Sequence, residues 1–90
     1  MLSVYEKNHI ERLILYFLYD QSPLDYSRKQ ILSDIHDDVL QNLPNINWDE
    51  VKKYVKHWHK YHSQSGELIK DKRKVGLDGQ EINYYKVPDL

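Results

Sequence analysis

Two runs of alternating residues meet at Asp78-Gly79 in the last third of the chain. Asp-Gly between such runs is a strong hairpin signal, because both positions of a tight turn take positive φ. The flanking residues Ile69, Val75, Ile82, Tyr84, Tyr85 and Val87 suit a pleated surface. With Asp78-Gly79 as a two-residue loop, Val75 pairs with Ile82, Arg73 with Tyr84 and Asp71 with Lys86. The other face then sets Lys74 beside Asn83, Lys72 beside Tyr85 and Lys70 beside Val87. A four-residue turn from Gly76 to Gly79 is the competing register. A lone hairpin is at best marginally stable in water, so this one has to lean on helices.

The chain before it supplies three. Asn8-His9-Ile10-Glu11 has the form of an N-cap with Glu three residues on, and Ile10, Leu13, Ile14, Phe17 and Leu18 follow helical spacing. Leu15, Tyr16 and Tyr19 widen the stripe. A largely buried helix is expected over about 9–19, after a short lead-in and before the stop at Asp20-Gln21-Ser22-Pro23. Ser27-Arg28-Lys29-Gln30 is a second capping box. It opens a helix over 28–42 with Ile31, Leu32, Ile35, Val39 and Leu40 inward, Asp34, Asp37 and Asp38 outward, and Pro44 as the stop. Asn47 caps a third helix over about 48–62. Trp48, Val51, Tyr54, Val55, Trp58 and His62 form its apolar face, and Lys52, Lys53, Lys56, His57 and Lys60 its basic outer face.

Ninety residues, 40% apolar and 30% charged, make one soluble domain spanning 1–90. The absence of cysteine excludes disulfides and thiolate chemistry. The longest apolar run, Leu13 to Tyr19, is too short for a membrane span and carries no cleavage pattern, so a cytoplasmic protein is expected. The net charge of −1 argues against binding driven by bulk charge and directs attention to where the charges lie.

The fold class is mainly α with a C-terminal β-hairpin (α+β). Three helices, a basic third helix and a tail that reads Gly66-Glu67-Leu68-Ile69, charged strand, Asp78-Gly79, then Tyr84-Tyr85-Lys86-Val87 resemble the winged helix-turn-helix superfamily over about Ile10 to Val87. The resemblance implies a DNA-binding transcriptional regulator, with the third helix in the major groove and a wing over about 68–87 on the backbone. The candidate nucleic-acid contacts are Lys52, Lys53, Lys56, His57 and Lys60 from the helix, and Lys70, Lys72, Arg73, Lys74 and Tyr85 from the wing. The outer face of the third helix has no Arg, Asn or Gln, so the usual bidentate partners of guanine and adenine are missing.

Two other functions compete. A winged helix can serve as a protein-interaction module, and Tyr16, Tyr19 and Tyr61, if several are exposed together, would mark a partner surface or a homodimer seam through the first helix. Lys29, Ile35-His36-Asp37-Asp38-Val39, Leu43-Pro44 and Leu77-Asp78-Gly79 also fall at spacings similar to the ProQ/FinO family of RNA chaperones, which implies RNA binding. His59 and His62, three apart, lack a third ligand for zinc and are expected as surface groups, with His62 partly capping the core. His36, Asp37 and Asp38 are consecutive on a helix surface and do not converge on one point. No metal, cofactor or catalytic residue is assigned, and the chain is not expected to be an enzyme.

Overall fold

The computed structural model describes residues 1–21, 26–75 and 79–86, with 20, 21, 26, 71–75, 80, 83 and 86 described in backbone only. Three helices and a small antiparallel sheet follow one another as α1 (Val4–Leu15), a π-helical segment (Tyr16–Gln21), β1 (Tyr26–Ser27), α2 (Arg28–Asn42), α3 (Trp48–Gln64), β2 (Ile69–Val75) and β3 (Gln80–Lys86). The sheet order is β1-β3-β2.

The helix starts follow from their caps. Ser3 Oγ accepts the Glu6 amide at 3.1 Å and Glu6 Oε1 accepts the Ser3 amide at 2.8 Å. This reciprocal box starts α1 at Val4, and the expected lead-in is helical instead, because the box at Ser3 precedes the weaker signal at Asn8. Ser27 Oγ accepts the Gln30 amide at 3.1 Å, whereas the Gln30 side chain turns to Asp34 at 3.0 Å, so only half of the expected box forms. Asn47 Oδ1 accepts the amides of Asp49 and Glu50 at 2.9 and 3.3 Å and starts α3.

The core joins Ile10, Ile14 and Leu18 to Ile31, Ile35 and Val39 of α2, Val51, Val55 and Trp58 of α3, and Leu68 and Tyr85 of the hairpin. Trp58 Nε1 donates to Glu11 at 2.8 Å, which satisfies the buried indole and locks α1 to α3. Three expectations about this core need correction. Leu40 is 45% exposed, and Leu15, Tyr16 and Tyr19 are exposed as well. A period of about 100° per residue turns Leu15, Tyr16 and Tyr19 away from the stripe of Ile10, Ile14 and Leu18, so it is their apolar character and not the spacing that misplaces them. His59 is wholly buried rather than on the surface.

The register of the hairpin pairs Val75 with Gln80, Arg73 with Ile82, Asp71 with Tyr84 and Lys70 with Tyr85. Four residues therefore connect the strands, not the two of a tight Asp-Gly loop. Gly79 lies at φ 69°, while 76–78, including Asp78 of the expected turn, lie outside the described residues, as does Val87. The slip is by two, so each residue keeps its face although every pair changes. Tyr26 pairs with Tyr85 and Ser27 with Tyr84, so β1 ties the hairpin to the start of α2. No helix among the described residues is long and apolar enough to cross a membrane.

Ser3→Ala should lower stability by about 1 kcal/mol in denaturant unfolding; no change would mean that α1 begins later. A second test concerns His59, whose burial pushes its pKa from 6.5 down to about 4. Above pH 6.5 the ring is neutral folded or unfolded. Below it the unfolded chain takes a proton that the folded chain refuses, so stability falls as pH drops from 6.5 towards 4. The loss from this group is roughly 3 kcal/mol. His59→Leu should flatten the stability profile in that window, and an unchanged slope would remove His59 as its source.

Candidate nucleic-acid interface

The cleft between α3 and the hairpin is built from the ring of Tyr85. That ring is 3% exposed and lies 4.6 Å from the imidazole of His59, centroid to centroid. His59 Nδ1 donates to the Val55 carbonyl at 2.8 Å, four residues back along α3. Its Nε2 is buried with no hydrogen-bond partner among the described residues. Desolvation holds the ring neutral, and the nearby guanidinium of Arg28 acts in the same direction.

Above this floor, α3 contributes Lys56, Lys60, Ser63 and Gln64, β2 contributes Lys70, and the start of α2 contributes Arg28, around a cavity of about 360 Å³. No carboxylate lines it among the described residues, and none of the four cations makes an ion pair among them. A neighbouring depression of about 440 Å³ shares Arg28 and Lys56 and adds Lys29, Lys52, Ser27 and Leu32, with Glu81 and Ile82 on its far side. Lys52 also reaches Asp49 at 3.4 Å, one turn back on the exposed face.

The expected contacts therefore divide. Lys56, Lys60 and Lys70 come together in the first cleft, and Lys52 joins them through the second. Lys53 and His57 are exposed on α3 but line neither. Tyr85 is a correction: its ring belongs to the core and floors the cleft, because β3 docks on α3 through it. Lys72, Arg73 and Lys74 stand in β2 opposite Asn83, Ile82 and Glu81, and their side chains lie outside the described residues.

Sequence reasoning left Arg28 and Lys29 (the latter named only in the RNA-chaperone resemblance), and also Ser63 and Gln64, out of the nucleic-acid contacts. A signal for the first two was present. They occupy the first turn of α2, which holds no acidic residue, and cations there oppose the helix dipole. A local rule broken without a local compensation is a mark of function. Glu81 apart, no acid among the described residues lines either depression. Asp38 bonds His9 of α1 at 2.8 Å, and Asp37 bonds His36 at 3.1 Å, beside the edge-on contact of His36 with Trp48. Among the described residues no three His, Asp or Glu side chains group as metal ligands. Comparison with protein-family models, with curated proteins and with solved structures gives no match.

Proposed function

We propose that this chain is a small winged-helix nucleic-acid-binding protein that holds the backbone of duplex DNA on the face shared by α3 and the hairpin, as a DNA-binding regulator in the cytoplasm. One observation carries the reading: four cations from three separate elements converge on one cleft with no carboxylate in its described lining. Concentrating uncompensated positive charge is unfavourable in the free protein, and a polyanion relieves it. The anchoring of the hairpin through β1 supports a wing held rigidly beside α3. Lys72, Arg73 and Lys74 extend the cationic run along β2 in sequence. The shortage of base-reading side chains on α3 makes the binding one of phosphates more than of bases.

A second reading is favoured by a different surface. Leu15, Tyr16 and Tyr19 are exposed together beside Arg12 around a shallow depression. That patch suits a protein partner, a second copy included, and makes the interaction module the rival to DNA binding.

Lys56→Gln with Lys60→Gln should weaken duplex retention and lower the slope of log affinity against log salt by about two. The melting temperature should hold, since both lysines are exposed. An unchanged slope would remove the cleft from the binding surface. No binding of wild type at low salt, together with concentration-dependent mass in light scattering that Tyr16→Ser abolishes, would transfer the function to the α1 patch.

A further inference from the structure

We propose that the inner end of the cleft is a site for a phosphomonoester, the phosphorylated end of a nucleic-acid strand. The inference rests on the reading of the cleft as a nucleic-acid surface and adds which part of the strand it takes. The two depressions join at Arg28 and Lys56 into one track. Lys52, Lys56 and Lys60 recur at every fourth residue along its α3 wall, about 6 Å apart along the helix axis. Beyond Lys60 the lining passes to Ser63, Gln64 and Lys70, and there the chain itself joins α3 to β2 through 65–68.

That connection is pinned. The amides of Glu67 and Leu68 both donate to the His62 carbonyl, at 2.9 and 3.1 Å, and the Ser65 amide donates to that of Tyr61 at 3.1 Å. The Glu67 carboxylate accepts from the His62 ring at 2.9 Å and from the Ser65 hydroxyl at 3.0 Å, which holds its pKa below the usual range. The Leu68 side chain is buried beneath. Ser63, Gln64 and Lys70 flank this pinned connection in the chain, so a strand following the lysines along α3 meets the place where α3 gives way to β2.

The charge agrees with an end. An internal phosphodiester brings one negative charge, whereas a monoester carries about −1.5 to −2 at neutral pH and three acceptor oxygens. Arg28, Lys56, Lys60 and Lys70 supply more charge than one diester neutralises, in a space of about 360 Å³. The exposed amide of Gln64 adds donors at the end of the cleft beside Ser63.

The test uses the full chain and one oligonucleotide, labelled at an internal base, in three forms: 5′-phosphate, 3′-phosphate, and hydroxyl at both ends. One phosphorylated form should bind about tenfold tighter in fluorescence anisotropy at low salt. Lys70→Gln should bring that ratio close to one, and Lys53→Gln should leave the ratio intact while weakening all forms alike. A nucleoside monophosphate that displaces the oligonucleotide where the nucleoside does not would support the monoester site and name a free nucleotide as its source. Equal binding of the three forms, with no competition by the monophosphate, overturns the terminal site and leaves the backbone reading standing. Absence of binding by every form and by the monophosphate overturns both.

Discussion

The position of the hairpin, and with it every charge the hairpin carries, depends on the contact of Tyr85 with His59. The two rings are buried against each other at 4.6 Å, with His59 steered by its bond to the Val55 carbonyl. Lys70 is the cross-strand partner of Tyr85. Burying the tyrosine on α3 therefore draws Lys70 to the rim of the same helix, next to Lys56 and Lys60. Tyr26 of β1 pairs with Tyr85 from the other side. That pairing brings the first turn of α2, with Arg28 and Lys29, to the same place. One core contact thus assembles a cationic surface from the start of α2 and from the consecutive elements α3 and β2.

The arrangement carries costs that are local and legible. A buried imidazole acceptor without a described partner is unfavourable, as is a pair of cations at the positive end of a helix. A charged ring at position 59 would add a further cation beneath the cleft, and burial prevents it. In a domain whose total stability is of the order of 5–15 kcal/mol, such conflicts are affordable only where the packing around them is complete. Here it is: Ile10, Ile14, Ile31, Ile35, Val39, Val51 and Val55 are all wholly buried.

Much of this was legible in the residues. The bounds of α2 agree with those read from Ser27 and Pro44, because cap and breaker act locally. The faces of the hairpin survived a wrong register, since a slip of two preserves alternation. What escaped was non-local, or misjudged from residue type. The pairing of β1 with β3 involves two residues separated by most of the chain, and no period marks it. The widening of the first helix's stripe to Tyr16 and Tyr19 followed their apolar character and not the helical period, which turns both away from Ile10 and Ile14. His59 was assigned to the surface because its polarity outweighed its position beside Val55 and Trp58, although a neutral imidazole bonded to a carbonyl four residues back is an acceptable core residue. Arg28 was passed over as part of a cap and Lys29 entered only through the RNA-chaperone resemblance, when their shared conflict with the helix dipole was the informative fact.

A net charge near zero is no obstacle to binding a polyanion when the signs are sorted. Asp38 is bonded to α1, Asp37 to His36 and Glu11 to Trp58, so these carboxylates serve the helical body. Lys56 and Lys60 of α3 line the inner cleft with Lys70 of the hairpin, and no described acid lines it with them. On the proposed reading, the uneven placing of these charges would steer an approaching strand towards the cleft and away from the acidic side of α2. Orientation of this kind raises encounter rates without helping to distinguish one base from another. On that reading discrimination has to come from what the cleft admits, and the proposed monoester site would distinguish a strand's end from its middle by charge.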